Sequence, residues 1–520
     1  MATTVVERIS ETSPVSALGQ ISARGPVLVT TLTLLVLIVH GYHPWSEDGG
    51  LYAAGIKHLL APQLYPHQTE FVTGHLRFSL FAPAVAALTR SSRLPLDWVL
   101  LFLYCATTWL TLYAAWQLAT RIFTSVPARC GGVVLLACWL SLPLAGTALM
   151  LMDPYVTARS ISTPLSILAL CWVLDALAGE STKAWLLCTA ALLLAAAVHP
   201  LMAGYAIGSV LLLASLGSSR RFLRLWAGFA IAAASLLLAL AIQLYAAPES
   251  ADYVRIAMTR YYWFPGQWQW YERIGLIAPL LILAALLLWK NRASAGAAYT
   301  TTIRMSIALG SLSLVIAALF SRARLATHTV ARLQPLRTFQ TVYIVMILVL
   351  GATLAEYLLK KSPWRWAVLI TLASAPMYIA QRAVAPASLH IELPWRTPQN
   401  SWVQAFLWIR GNTPTDALFA MDPHYITSDG EDAQSFRAVA ERSTLPDYSK
   451  DGGEASITPQ LTSAWAAGQS LQANIEHQSD AARLATLASV GVDWIILRAS
   501  SQTAFACPYR NAVVKVCRLH

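Results

Sequence analysis

Glu47 and Asp48 stand side by side just beyond the first long apolar run, in the segment GYHPWSEDGGLYAAGIKHLLAPQLYPHQTEF. A carboxylate held beside a dry cleft can take the proton of an attacking hydroxyl. Behind the pair, Leu51, Tyr52, Gly55, Ile56, Leu59 and Leu60 recur at spacings of three and four. That spacing puts them on one side of a helix lying at an interface. Ser46, Glu47 and Asp48 equally suit a cap and a dipole complement for the same helix, so both roles stay open.

Asp153 and Arg159, in MDPYVTARSIS, fall close to membrane depth. A charged group at a bilayer centre costs about 2.5–3.5 kcal/mol or more, so such residues face a cavity or a partner. They are a second candidate site, or an ion pair joining two helices. His199, in a two-residue break between apolar runs, reads as a structural hydrogen-bonder more readily than as a substrate contact. In SRARLATHTVARLQPLR, Arg322, Arg324, Arg332 and Arg337 gather with His328. Guanidinium forks match phosphate oxygens, which makes this loop a candidate phosphate cradle; the alternative is an ordinary cytoplasmic basic loop. The stretch YYWFPGQWQWYER offers aromatic faces for sugars, although Trp and Tyr also populate membrane interfaces without binding anything.

The scaffold behind these groups is apolar. Of 520 residues, 56% are hydrophobic and 12% charged, with 19 Trp and 19 Tyr, which excludes disorder, a coiled coil and a disulfide-rich scaffold. The net charge of +11 divides unevenly. Residues 1–384 hold 27 Lys+Arg against 13 Asp+Glu, a net +14, and residues 385–520 hold 10 against 13, a net −3. The excess base lies between apolar segments, as in a membrane protein and unlike a nucleic-acid binder.

Apolar runs at about 26–42, 98–120, 130–149, 161–178, 184–198, 201–217, 225–246, 274–289, 303–320, 338–358 and 365–384 predict about eleven spans. The run from Phe78 to Thr89 is too short and is expected to be re-entrant or juxtamembrane. A cytoplasmic amino-terminal segment (1–25) then precedes a transmembrane domain (26–384) whose first outer loop is 43–97. With that parity the inside segments hold 14 Lys+Arg in 68 residues and the outside loops 12 in 112, the sense the positive-inside rule requires.

After residue 384 the hydropathy collapses. Leu418–Met421, Ser435–Val439, Asp493–Leu497 and Ala512–Val516 read as strands, and Ser401–Arg410 and Ala481–Ser489 as helices. The fold class expected is mainly α, a polytopic transmembrane bundle with a small carboxyl-terminal extracytoplasmic α/β domain over 385–520. Cys507 and Cys517 flank CPYRNAVVKVC, a final hairpin that a disulfide can close in an oxidising compartment. The other five cysteines read as small apolar residues. There is no P-loop, GxGxxG after a strand, HExxH, GxSxG or zinc-type Cys/His spacing.

An acidic pair in the first outer loop, a second acidic outer loop with Asp153 and Arg159, many spans and an extracytoplasmic tail together resemble the GT-C superfamily of membrane glycosyltransferases. The tail WIRGNTPTDALFAMDP…FRAVAERSTLPDYSKDGG also resembles those of bacterial GT-C-like membrane proteins, and it holds no WWD-type oligosaccharyltransferase motif. The resemblance implies a multi-pass protein of a bacterial inner membrane, with its amino terminus cytoplasmic and its tail periplasmic. It would transfer a sugar from a polyprenyl-phosphate lipid donor to a glycan, lipid or protein acceptor. The family's first-loop acid maps onto Asp48, or onto Glu47, as base, and the second onto Asp153. Arg159, His199 and the arginines of 321–337 would meet substrate. Metal dependence varies within the superfamily, so the resemblance assigns no cofactor and no metal ligands, while three carboxylates on two loops leave room for a divalent cation. Two alternatives are a non-catalytic protein that binds or presents a lipid-linked glycan, and a lipid or glycan transporter. Against transport, no inverted repeat is evident and the charges cluster in outer loops.

Overall fold

The computed structural model describes residues 14–179, 181–218, 220–289 and 294–519, with side chains from Gly25 onward and without that of Arg221. Residues 1–13, where the cytoplasmic segment is expected to begin, lie outside the described residues.

Helix α1 (Pro14–His40) leads into a loop carrying α2 (Glu47–Leu60), the single turn α3 (Glu70–Thr73) and α4 (Phe81–Ser92). There follow α5 (Leu96–Ile122), α6 (Val126–Cys138), α7 (Ala158–Gly179), α8 (Thr182–Val198), α9 (Pro200–Gly217) and α10 (Arg221–Tyr245). After α11 (Ala251–Thr259) come α12 (Trp270–Leu288), α13 (Tyr299–Phe320), α14 (Thr329–Arg332), α15 (Phe339–Leu354) and α16 (Pro363–Val384).

Among the described residues eight helical stretches are long and apolar enough to cross a membrane: α5, α7, α9, α10, α12, α13, Thr329–Leu359 and α16. Gly25–His40, α6 and α8 are shorter apolar helices. On α10, Leu237, Leu238 and Leu244 are all more than 60% exposed. So wide an apolar face is stable only against lipid, and the chain is a multi-pass membrane protein. The segments Glu70–Phe78 and Phe81–Ser92 meet at 100°, so the 78–89 region does not run straight on.

One expected span is cut short. The helix predicted over 130–149 ends at Cys138, because Pro143 lacks an amide donor and Ala145 and Ala148 take positive φ. The chain instead folds back on itself, with Leu144 N–H donating to Leu149 O at 2.8 Å. Gly146 lies flat against the Trp268 indole, where a Cβ would sit 2.5 Å from the ring. This irregular stretch delivers Asp153 to the end of the bundle.

The loops assigned to one face converge there. His43 N–H bonds Pro154 O at 2.8 Å, Leu80 N–H bonds Ala197 O at 2.9 Å and Tyr205 Oη bonds Gln334 O at 3.1 Å. At the opposite end, Thr124 N–H bonds Ser294 O at 2.9 Å and Gly296 N–H bonds Ile122 O at 2.8 Å.

The tail holds a five-stranded sheet. Its strands are β1 (Leu418–Ala420), β2 (Ser443–Thr444), β3 (Trp494–Arg498), β4 (Tyr509–Arg510) and β5 (Val514–Arg518), in the order β2-β1-β3-β5-β4. The first three are parallel and the β4–β5 hairpin is antiparallel, closed by a Cys507–Cys517 disulfide. Helix α17 (Ser401–Asn412) covers one face of the sheet with Trp402, Phe406 and Ile409. The expected strand at Ser435–Val439 is a helix, α18 (Phe436–Ala440). Ser435 Oγ accepts from Ala438 N–H at 3.3 Å and caps it, and all five residues are buried, so no alternation distinguished strand from helix. Helix α19 (Lys450–Ile457) then faces the membrane body, and α20 (Thr462–Leu471) and α21 (Asp480–Leu487) complete the tail.

Candidate functional site

Helix α2 is clamped between bundle and tail. Glu47 N–H donates to Ala433 O at 2.8 Å and Ser435 N–H to Trp45 O at 2.9 Å, pinning the turn before the helix to the tail. Ser46 occupies the cap position, yet its hydroxyl donates to Asp432 O at 3.1 Å and bonds no amide of the helix. Glu47 itself adopts φ +52°, a costly conformation for a side-chain-bearing residue that the surrounding contacts must hold in place.

Lys450, the first residue of α19, reaches across 402 positions of sequence to this turn. Its Nζ donates to Asp48 Oδ1 at 3.0 Å and also contacts the Glu47 carboxylate. The Lys450 charge outweighs burial and, with Arg159 and Arg337 adding to it, holds the Asp48 carboxyl down to about 2. Asp48 is therefore ionised throughout the neutral range. Its side chain is partly exposed, with 46% of its surface open.

Asp153 and Arg159 form a buried ion pair, as the structural reading of that loop expects. Burial, only partly offset by Arg159, pushes the Asp153 carboxyl up. His199 serves as the cap of α9, its Nδ1 accepting from Met202 N–H at 3.4 Å. Burial, with Arg337 and Arg159 nearby, lowers it to about 3, so the ring is neutral.

The four arginines do not form one cradle. Arg322 and Arg324 are exposed, and Arg332 lies near Tyr253. His328 pairs with Glu249 at 2.7 Å. Arg337 alone turns inward, where Thr147, Tyr262, Trp263, Ser321 and Gln334 line a narrow cleft with it. Arg337 Nε, Trp263 Nε1, Ser321 Oγ and the acceptor Gln334 Oε1 are buried there with no hydrogen-bond partner among the described residues. Buried donors are ordinarily satisfied, so three on one cleft, one of them cationic, suit an anion. Trp263 and Tyr262 come from the aromatic loop.

The structure thus brings Glu47, Asp48, Asp153, Arg159, His199 and Arg337 into one electrostatic neighbourhood and leaves Arg322, Arg324 and Arg332 outside it. Among the described residues no group of three or more His, Cys, Asp or Glu is placed to hold a metal ion. Between the two first-loop acids stands the Lys450 ammonium.

Glu454, one turn along α19, is buried, and its Oε1 has no partner among the described residues. Gly74 lies so close that a Cβ would come 2.2 Å from that oxygen. Burial and neighbouring Asp451 push the Glu454 carboxyl up to about 8. An acid raised in the fold holds a proton that the unfolded chain has lost, so its contribution is present below about 4.5 and fades as pH rises toward 8. Glu454→Gln is therefore expected to flatten the decline of thermal stability between about pH 5 and 8. Unfolding scans across that range check this, and parallel curves for both proteins would refute it.

No protein-family model matches the chain, and a search of curated proteins finds no relative.

Proposed function

We propose that the protein is a GT-C-type membrane glycosyltransferase, transferring a sugar from a polyprenyl-phosphate donor to an acceptor hydroxyl on the extracytoplasmic side. The observation that carries this reading is the pairing of an ionised, partly exposed Asp48 with a donor-lined Arg337 cleft at the same end of an apolar bundle. The acceptor oxygen bonds to the anomeric carbon while the bond from that carbon to the phosphate oxygen breaks. The electron pair leaves on the phosphate, where Arg337, Trp263 N–H and Ser321 O–H are disposed to stabilise it. Asp48 accepts the hydroxyl proton. A carboxylate near 2 is a weak base toward a free alcohol, so this transfer comes late, once the forming bond has made the hydroxyl acidic. Arg159, with its charge balanced by Asp153, and neutral His199 lie near both groups.

The test is incubation of the purified protein with polyprenyl-phosphate hexose and a panel of glycan and lipid acceptors, followed by mass spectrometry. Free polyprenyl phosphate together with a hexose-extended acceptor is expected. One observation favours a second reading, a non-catalytic binder of lipid-linked glycan: Lys450 already engages both first-loop acids. A binder retains the intact donor in native mass spectra and never yields free polyprenyl phosphate.

A further inference from the structure

The α3–α4 hairpin carries a surface that the proposed reaction does not use. One face of α4 is packed, with Phe81, Ala82, Val85, Ala86 and Thr89 buried. Its outer face is apolar as well. Leu88 is 44% exposed, and the flanking Phe78, Leu80 and Leu94 are 54%, 60% and 41% exposed. A helix apolar on both faces at the edge of a membrane body sits in lipid.

Arginines bracket this apolar face. Arg77 lies before the bend, and Arg90 and Arg93 lie at the far end of α4, all three exposed. Among the described residues none has a carboxylate within ion-pair distance. Arg90 donates to Leu59 O, tying α4 to the end of α2. Asp97, the acid nearest in sequence to Arg90 and Arg93, lies in the first turn of α5.

The depth of these arginines follows from their neighbours. Trp98, in the first turn of α5, stacks on Trp395 of the tail at 5.1 Å, and Trp395 is 58% exposed. Exposed tryptophans mark the level where headgroups meet acyl chains. Arg93 stands five residues before Trp98, in the link between α4 and α5.

We propose that the α3–α4 hairpin is a seat for anionic phospholipid: Phe78, Leu80, Leu88 and Leu94 enter the acyl layer while Arg77, Arg90 and Arg93 hold the headgroup phosphates. Guanidinium forks suit phosphate oxygens, and the net negative charge of the lipid balances what the protein leaves unpaired.

The protein reconstituted in bilayers of equal phosphatidylglycerol and phosphatidylcholine, then extracted in mild detergent, tests this through the lipids that copurify. Wild type is expected to retain phosphatidylglycerol about tenfold over its bulk ratio, the scale set by a few-fold preference per surface arginine. The R77Q/R90Q/R93Q variant is expected to retain the two lipids in their bulk ratio. The R498Q/R510Q/R518Q variant removes the same three charges from the tail and is expected to keep the wild-type enrichment. Three results would each overturn the proposal: no enrichment in wild type, enrichment that persists in the α3–α4 variant, or equal loss in the tail variant.

Discussion

Replacing Asp48 with asparagine is expected to lower hexose transfer by about 10³-fold, within the 10²–10⁴ range of a lost general base. Asparagine keeps the shape of the side chain and one carbonyl acceptor for Lys450 Nζ. What disappears is the negative charge that takes the proton. Lys450 keeps its contact with Glu47, so the tail stays docked and the melting temperature is expected to hold within a few degrees, as for a single partly exposed charge. Glu47→Gln is expected to cost far less, because Glu47 is held at a strained turn as the outer partner of Lys450. The depressed carboxyl also sets the pH behaviour. Asp48 lies below its ordinary value, so the ion pair's contribution is complete above about 4 and is lost as pH falls through about 2. Lys450→Met removes the main cause of that depression, and the acid limb of transfer is expected to move to higher pH. The readout is free polyprenyl phosphate measured by mass spectrometry. Full transfer by both D48N and E47Q would remove the base from the mechanism.

How much of this was legible in the sequence depends on whether the determinant was local. The apolar runs of α5, α7, α9, α10, α13 and α16 are read directly, because a lipid-facing helix needs nothing but length and hydrophobicity. The closing hairpin was also legible, since Cys507 and Cys517 bracket two short β-prone runs. Residues 139–149 were misread because the apolar count is indifferent to Pro143 and to the positive φ of Ala145 and Ala148. Hydropathy there reports burial against Trp268, not a helix. The acidic pair was singled out, but its partner was not. Nothing in PDYSKDGG marks Lys450, and the contact exists because α19 docks on α2 from the far end of the chain. The arginine loop shows the converse error. Four like charges in 16 residues suggest a cluster, whereas the geometry turns Arg322 and Arg324 outward, Arg332 to Tyr253 and Arg337 alone into the cleft. Trp263 and Ser321 carry no signal of their own beyond being donors in loops that happen to meet.

Arg337→Gln is the complementary experiment, because it separates binding from folding in a single variant. Glutamine can still donate one hydrogen bond into the cleft, but it cannot supply the charge that stabilises a departing phosphate. Loss of one such preorganised group costs about 10²–10³ in rate, and a fall of that size in kcat/KM for polyprenyl-phosphate hexose is expected. The stability readout moves differently. Among the described residues no carboxylate lies within ion-pair distance of Arg337, and its Nε is buried without a partner. A cation kept in that state destabilises the free protein, so R337Q is expected to melt no lower than wild type, and higher where the cleft is empty. Added polyprenyl phosphate should reverse the order, raising the melting temperature of wild type through binding linkage and leaving R337Q unmoved. The exposed pair gives the contrast: R322Q/R324Q is expected to retain transfer within about twofold, as for surface charges away from a site. If R337Q instead lost stability and kept its response to the lipid, Arg337 would be a structural residue and the phosphate would have to be held elsewhere.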